Sequence, residues 1–287
     1  MNLTLLPALC QQTQTVVAQA AAFISSQAGK VQASQIEVKY KNNLVSYVDI
    51  EAEKILISGL KTLLPQANFL AEENTLGLNS NDYHSNDKNN NEVSNWQWVI
   101  DPLDGTTNFL YNLPVYAVSV GLLYQQKPVM GVVHEVVRNE CFYAWQGGGA
   151  WCNGLPLGVS KVDNLSEALM ATGFPYYNFE LVTPYSALLQ TLMKQTKGIR
   201  RFGAAAVDLC YVACGRFDAY FEHSLHPWDV AAGGLIVREA GGVVADFAQN
   251  TDNWLHNQQI VAANKAIWPN FMGLVGQYLN EAKHKQV

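Results

Sequence analysis

The most constraining feature of this chain is an apolar, strand-forming run that ends abruptly in two acidic residues. The run covers residues 96–100; Asp101 and Asp104 follow it directly, then Gly105 and two threonines. Clustered carboxylates repel one another and raise each other's pKa values, which is unfavourable unless a cation is present. Hard divalent cations prefer carboxylate and carbonyl oxygens. The pattern therefore predicts a turn that presents both carboxylates to a metal at the carboxyl end of a strand, where sheet proteins place ligands.

Composition indicates a well-packed globular protein. The 287 residues are 49% hydrophobic and only 15% charged, enough to bury a full core in one large domain or two closely packed ones. The net charge is −6, and no run of lysine and arginine suggests a basic groove. We therefore expect no nucleic-acid partner.

The cysteines and the absence of long apolar runs indicate the compartment. The chain has five cysteines and no Cys-x-x-Cys pair. This pattern argues against a disulfide framework and against a zinc knuckle. The first five residues lack the basic region of a signal peptide, and no apolar run reaches the length of a membrane span. We therefore expect a cytoplasmic protein with no membrane contact.

Hydrophobic spacing predicts alternating helices and strands. Amphipathic helices are predicted up to about Ala28 and from Asp49, as N-cap, to Pro65. A short strand, 68–71, leads into Glu72. Three antiparallel strands are predicted at 115–124, 129–137 and 140–145, separated by turn residues. The Asn-rich, Ser-rich stretch 78–95 is predicted to be a surface loop.

The second half is also predicted to mix helices and strands, in a mixed α/β class with layers of helices and sheets. Predicted helices cover 181–194, 204–214, 227–240 and a closing segment from 268, with strands at 168–172, 217–222, 243–246 and 260–263. Glycines near residue 150 suggest a boundary between an N-terminal α+β subdomain, 1–150, and a C-terminal α/β subdomain, 151–287.

Further acids are candidates for the same site, although each also has an ordinary structural interpretation. Glu72 follows a strand, and Asp229 lies in the first turn of a helix introduced by His226-Pro227-Trp228. Asp229 alone would favour the helix dipole, Glu72 alone would suit a solvated strand end, and Asp49 alone would suit a helix N-cap.

Two long motifs decide between these interpretations. The string from Asp101 to Phe109, Asp-Pro-Leu-Asp-Gly-Thr-Thr-Asn-Phe, closely resembles a signature of the inositol monophosphatase family. The segment 226–233, His-Pro-Trp-Asp-Val-Ala-Ala-Gly, resembles that family's second signature, in the expected order and separation. Matching features run from about residue 39 to residue 246. The resemblance implies a layered αβαβα sandwich of the inositol monophosphatase and fructose bisphosphatase type.

The resemblance also implies an activity and a ligand set. It implies a Mg²⁺-dependent, lithium-sensitive phosphomonoesterase, commonly a homodimer, that acts on a small phosphorylated polyol or sugar. Glu72, Asp101 and the Leu103 carbonyl match the ligands of a first metal, and Asp101, Asp104 and Asp229 match those of a second. Metal activation of water then needs no covalent phosphoenzyme.

The same resemblance implies which residues orient the water, bind the phosphate and contact the polyol. Glu72 and Thr106 match groups that orient the attacking water, and Asp49 matches an acid associated with a more weakly held cation. The N–H groups of Gly105 and Thr106 suit phosphate. Residues matching the polyol side of the site are Gly203, Ala205 and Glu222. Family members often have serine or threonine at position 204, where this chain has alanine.

The leading hypothesis is hydrolysis of myo-inositol 1-phosphate. Other superfamily substrates, namely fructose 1,6-bisphosphate, 3′-phosphoadenosine phosphates and histidinol phosphate, remain alternatives. A non-catalytic regulator that binds a phosphorylated metabolite is the rival from another class. A structural Ca²⁺ protein fits poorly because the aspartate spacing is not that of an EF-hand loop.

Overall fold

A computed structural model describes residues 3–40, 43–77, 94–175 and 178–280 of the chain. Most of the predicted loop 78–95 therefore lies outside the described residues. The helices are α1 (Leu6–Gln27), α2 (Tyr47–Leu63), α3 (Thr106–Leu110), α4 (Val182–Gln195), α5 (Ala205–Ala213), α6 (Pro227–Glu239) and α7 (Trp268–Val275). The strands are β1 (Ile36–Tyr40), β2 (Asn43–Ser46), β3 (Asn68–Ala71), β4 (Trp96–Asp104), β5 (Ala117–Tyr124), β6 (Lys127–Glu135), β7 (Glu140–Trp145), β8 (Ala150–Cys152), β9 (Leu155–Pro156), β10 (Leu169–Thr172), β11 (Gly198–Arg200), β12 (Ala219–His223), β13 (Val243–Ala245) and β14 (Gln259–Ala263).

Two large sheets organise the molecule. The seven-stranded sheet has the order β3-β4-β5-β6-β7-β8-β9, with β3 parallel to β4 and every later pair antiparallel. The five-stranded sheet has the order β11-β10-β12-β14-β13, with β10 parallel to both of its neighbours. The predicted antiparallel strands of the first half are confirmed, with ends shifted by about two residues.

The helices form three layers around these sheets. Apolar residues of α1 and α2 pack on one face of the seven-stranded sheet. Side chains of α5 and α6 fill the space between the two sheets, and α4 and α7 cover the outer face of the five-stranded sheet. This order of layers is the predicted αβαβα sandwich. The division into subdomains near residue 150 stays a prediction.

Helix α6 lies unusually close to the seven-stranded sheet because glycines face it. A Cβ on Gly131 of β6 would stand 2.8 Å from the Ala232 backbone, and one on Gly121 of β5 would stand 3.0 Å from the Ala231 Cβ. Overpacking at such a contact is destabilising. These glycines therefore let α6 bring its first turn, with Asp229, against the sheet that carries the other acids.

Two local predictions were wrong. Helix α2 begins before Asp49: Ser46 is the N-cap, and Asp49 is the third helical residue of a capping box, accepting bonds from the Ser46 N–H and Oγ, both at 2.8 Å. A carboxylate at the third helical position stabilises the start of a helix, because it accepts the N–H of the N-cap residue. The Asp101–Asp104 segment is not a separate turn, because β4 continues through Asp104 with a break in its register against β5.

All five cysteines are free. Within the described residues, none of the helices combines the length and apolar character needed to cross a bilayer.

Candidate active site

One cleft collects the residues that the sequence singled out. Its walls come from the ends of β3, β4 and β12, the start of α6 and the loop before α5. Of the predicted site residues, those lining the cleft are Glu72, Asp101, Leu103, Asp104, Gly105, Thr106, Gly203, Ala205, Glu222 and Asp229. Asp49 does not line it, but contacts Thr106 from behind. The structure therefore brings together residues separated by more than 150 positions in sequence.

The end of β4 is irregular, so the Leu103 carbonyl oxygen is not used in a hydrogen bond to the neighbouring strand. Asp101 pairs with Ser119 and Asp104 with Ala117, so the residues between them have no ladder partner. The Asp101 Oδ1 accepts a bond from the Leu103 N–H at 2.9 Å. This local irregularity directs the carbonyl of Leu103 and the carboxyl of Asp101 to the cleft, as expected of a bulge beside a functional site.

Gly105 makes the sharp change of direction that follows. Its φ of +90° lies in the left-handed region, and a Cβ there would stand 3.0 Å from the Val115 carbonyl oxygen and 3.2 Å from the Ala204 Cβ. Only glycine fits this position without strain. The chain then enters α3, whose first N–H groups have no partner within the helix.

Asp104 is held by the start of another helix. Its Oδ1 accepts a bond from the Ala205 N–H at 3.2 Å, and its Oδ2 accepts one from the Ala206 N–H at 2.7 Å. The N-cap residue of α5 is Ala204, which makes no side-chain capping bond. Asp104 therefore caps α5 from across the cleft, where the helix dipole favours a negative charge.

Asp229 is fixed in a similar way by its own helix. Its Oδ2 accepts a bond from the His226 N–H at 2.6 Å, and its carboxyl occupies the first turn of α6. The His226 ring stacks on Trp228, with centroids 4.6 Å apart. The side chain is therefore oriented toward the cleft before any ligand binds.

The carboxyls of the cleft repel one another. Burial raises the pKa of Asp101 well above its usual value, and the charges of Glu72, Asp104 and Asp229 raise it further. Burial also raises the pKa of Asp104 to about 6, despite the N–H groups of α5. The pKa of Asp229 is raised well above its usual value by burial, and then by Glu72, Asp104 and Glu222.

Such a donor set fits a hard divalent cation. Three buried aspartates, a glutamate and a main-chain carbonyl are the oxygen ligands that Mg²⁺ and Ca²⁺ prefer. In the described part of the chain, no three Asp, Glu, His or Cys side chains stand ready as a metal-ligand group. Each of the three aspartates accepts at least one hydrogen bond from a backbone N–H, and carboxylate oxygens keep further lone pairs for a cation.

Another side of the cleft is built on β12, which carries Glu222. Glu222 is 6% exposed, and burial raises its pKa to about 7. The Tyr220 hydroxyl donates a hydrogen bond to the Glu222 Oε2. Gly203, with φ of +82°, lies where a Cβ would stand 2.3 Å from the Arg201 Nη1.

Several positioning residues were missed in the sequence. The buried Glu53 of α2 accepts bonds from the N–H groups of Glu73 and Thr75, at 2.8 and 2.7 Å, and so holds the segment that carries Glu72. Asn108 joins the end of β4 to the loop before α5, donating to the carbonyls of Val115 and Phe202 at 2.7 and 2.8 Å. A charged residue on the apolar face of a predicted helix was the available signal for Glu53.

Comparisons with known proteins show what the chain is similar to. The model of the "Inositol monophosphatase family" matches residues 8–284. The chain is 39% identical over 252 residues to the Nus factor SuhB of Escherichia coli K12, covering 88% of each chain. It is 38% identical to the putative Nus factor SuhB of Neisseria meningitidis serogroup B, over 88% of this chain and 92% of that relative.

Solved structures show the same fold. The extragenic suppressor protein suhB of Bartonella henselae is 36% identical to this chain and superposes on it with a TM-score of 0.83. The match covers 93% of this chain and 98% of the Bartonella protein. The inositol monophosphatase of Anabaena is 32% identical to this chain, with a TM-score of 0.78. The match covers 96% of this chain and 99% of the Anabaena protein. The chain therefore belongs to the inositol monophosphatase family.

Proposed function

We propose that this protein hydrolyses a small phosphate monoester with the help of Mg²⁺, with myo-inositol 1-phosphate as the leading substrate. The observation that carries the proposal is the convergence of Glu72, Asp101, Asp104 and Asp229 on one cleft together with Thr106. Membership of the inositol monophosphatase family supports a phosphatase-type enzyme.

The proposed metal ligands form two sets, which share Asp101. Glu72, Asp101 and the Leu103 carbonyl would hold one ion, and Asp101, Asp104 and Asp229 would hold another. Bound Mg²⁺ would supply positive charge that activates water and stabilises the oxygens of an in-line displacement. The raised pKa values of the aspartates support this assignment, because cations would relieve the repulsion that raises them.

The residues of the chain would orient the attacking water and the phosphate. The Thr106 Oγ1 lies 2.9 Å from the Asp49 Oδ1 and 3.0 Å from the Leu103 carbonyl oxygen. Its single proton goes to one of these acceptors, and its lone pairs remain to accept a hydrogen bond from water. The Glu72 carboxylate would take up the proton as the water attacks. The N–H groups of Gly105 and Thr106 would contact phosphate oxygens.

The substrate's alcohol group would occupy the β12 side. Glu222 would bind a hydroxyl, and the backbone at Gly203 and Ala205 would line the polyol pocket. Ala204 offers no hydroxyl, and it is 1% exposed beneath Gly105, where space is short. We therefore propose that selectivity for the polyol depends chiefly on Glu222.

Phosphate release from inositol 1-phosphate tests the proposal. We expect release by the purified protein with Mg²⁺, no release with a chelator, and inhibition by Li⁺. Glu72→Gln and Asp104→Asn should each abolish turnover while the protein stays folded by circular dichroism. Glu73→Gln, one position from Glu72 but outside the cleft, is the matched control and should retain activity. Failure to release phosphate from this or any other sugar phosphate would disprove the proposal.

A panel of esters would separate this substrate from the alternatives. Fructose 1,6-bisphosphate, 3′-phosphoadenosine phosphate and histidinol phosphate differ in the group that would meet Glu222. We expect inositol 1-phosphate to have the highest kcat/KM, because a carboxyl suits a hydroxyl donor. We also propose a homodimer, which sedimentation equilibrium would test.

The curated relatives suggest a second candidate function. They are named Nus factors, which leads us to propose a role in transcription that needs the fold rather than turnover. Expression of the chain in Escherichia coli lacking its SuhB would test it. Rescue by wild type and by Glu72→Gln would support a non-catalytic role, whereas rescue by wild type alone would tie the role to hydrolysis.

A further inference from the structure

Helix α5 buries an acid that the proposed mechanism does not use. Asp208 is 1% exposed, and neither of its carboxyl oxygens has a hydrogen-bond partner among the described residues. More than nine in ten buried polar groups in proteins have such a partner, from the protein or from ordered water. An acid with two unpartnered oxygens therefore needs a physical explanation.

The place of Asp208 connects it with the polyol side of the cleft. It lies one helical turn after Ala205, which lines the cleft, and residues three apart share a face of a helix. Helical side chains lean toward the helix N-terminus, which here is the cleft end of α5. The carboxyl of Asp208 therefore lies just behind the wall of the cleft.

Helix α5 packs against the face of β12 that carries Tyr220 and Glu222. Tyr220 belongs to the same apolar cluster as the α5 side chains, whereas Ala219 and Phe221 belong to the cluster on the outer face. Alternation along the strand puts Glu222 on the Tyr220 side. Tyr220 is fully buried, and its hydroxyl donates to the Glu222 Oε2.

The charges around Asp208 favour its neutral form. Burial raises its pKa well above the usual value, and the charges of Glu222 and Asp104 raise it further, while Arg201 lowers it. The pKa of Tyr220 is raised by burial and then by Glu222 and Asp208. A neutral Asp208 has one O–H donor, for which the described residues offer no acceptor.

We propose that a buried water joins the Asp208 carboxyl to the Tyr220 hydroxyl, which makes Asp208 a positioning residue that orients Glu222 toward a hydroxyl of the substrate. The hydrogen bonds then all point the same way, from Asp208 toward Glu222. Asp208 O–H donates to the water, the water donates to Tyr220 Oη, and the Tyr220 O–H donates to Glu222. The buried O–H of Asp208 then has an acceptor, and each bond polarises the next. The inference rests on the proposed function for its effect on selectivity.

Two substitutions at Asp208 separate positioning from packing. Asp208→Leu removes the donor with little change in volume, and Asp208→Asn keeps an N–H donor for the water. The readout is the ratio of kcat/KM for inositol 1-phosphate to that for phenyl phosphate, which has no polyol hydroxyl. We expect Asp208→Leu to lower this ratio about tenfold, as for a lost hydrogen bond to a charged group, and Asp208→Asn to leave it within threefold.

The relay predicts that Tyr220 acts through the same path. Tyr220→Phe should lower the ratio as Asp208→Leu does, and the double variant should be no worse than either single one, since both cut one chain of bonds. An unchanged ratio for Asp208→Leu, or an equal effect of Asp208→Leu and Asp208→Asn, would overturn the proposal.

A crystal structure of the wild-type protein tests the relay without activity. We expect an ordered water about 2.6–3.2 Å from both an Asp208 carboxyl oxygen and the Tyr220 Oη. A dry gap at this position would overturn the proposal. If the protein hydrolyses neither ester, the proposed function fails, and the presence or absence of this water still decides the inference.

Discussion

A single hydroxyl connects three parts of the candidate site. The Thr106 Oγ1 lies within hydrogen-bond distance of Asp49, at the start of α2, and of the Leu103 carbonyl, at the end of β4. Because it has one proton, it can donate to only one of them at a time. The residue therefore couples the position of α2 to that of the proposed metal ligand.

Substitutions that keep or remove this hydroxyl test its role. We expect Thr106→Val, which has the same shape, to lower kcat for phosphate release by roughly 10²–10⁴-fold, as for the loss of a group that handles a proton. Thr106→Ser keeps the hydroxyl and should keep kcat within about tenfold. Equal kcat values for the two variants, with both folded by circular dichroism, would remove Thr106 from the mechanism.

At the scale of elements, helix α2 supports the site through its first two turns. Its first turn holds Asp49 by a capping box with Ser46. One turn later, the carboxylate of Glu53 accepts the N–H groups of Glu73 and Thr75 and the Thr75 hydroxyl. The helix therefore fixes both the Thr106 partner and the segment that carries Glu72.

Two glutamates on α2 form a matched pair for testing this support. Glu53→Gln replaces a charged acceptor of three bonds, and we expect it to lower the free energy of unfolding by about 1–3 kcal/mol and to weaken Mg²⁺ binding. Glu51→Gln removes only an exposed pair with Lys54, which is expected to contribute less than about 1 kcal/mol. Urea unfolding and Mg²⁺ titration calorimetry would measure both. Equal effects of the two variants would contradict the role of Glu53.

At the scale of the whole molecule, layer packing forces like charges together. Asp101, Asp104 and Asp229 come from two elements on either side of the cleft, and burial raises the pKa of all three. Repulsion from neighbouring carboxyls raises the pKa of Asp101 and of Asp229 further. A raised pKa means that the folded state binds protons more tightly than the unfolded chain. The metal-free fold is therefore destabilised by these groups as they ionise.

The sign of this effect gives a pH prediction. Unfolded aspartates titrate near pH 4, whereas Asp104 in the fold titrates at about 6 and Glu222 at about 7. Their contribution to stability should therefore be greatest below pH 4 and be lost as pH rises through 6–7. Mg²⁺ should restore it at pH 7–8, by about 2.7 kcal/mol at 100 times its Kd.

Urea unfolding at several pH values, with a chelator or with Mg²⁺, would measure this contribution. Asp101→Asn removes one of the repelling charges, so it should raise the stability of the metal-free protein at pH 8 and reduce the gain from Mg²⁺. Stability without metal that rises between pH 6 and 8 in wild type, together with no gain from Mg²⁺, would contradict the acidic cluster as a cation site.

Local patterns were sufficient for most elements of the fold. Hydrophobic spacing predicted the longer helices and strands within a few residues, because burial of one face decides each of them. It did not predict the short strands β1, β2, β8, β9 and β11. The start of α2 was misplaced because Asp49 and Ser46 are both good capping residues, and only the geometry of the box distinguishes them. The Asp101–Asp104 turn was misassigned because a bulge depends on the partner strand, which local sequence does not reveal.

The sequence by itself determined the family, the order of layers and the acids that meet in the cleft, because two long motifs and the periodicity of the elements carry that information. Only the tertiary structure decided which groups hold those acids in place, namely the start of α5 around Asp104 and Glu53 behind Glu72, and only it showed that Asp208 is buried without a partner among the described residues. The physical reason is that the bonds to Asp104 and from Glu53 join residues 20 to 102 positions apart, and packing of the layers, rather than any local preference, brings them within bonding distance.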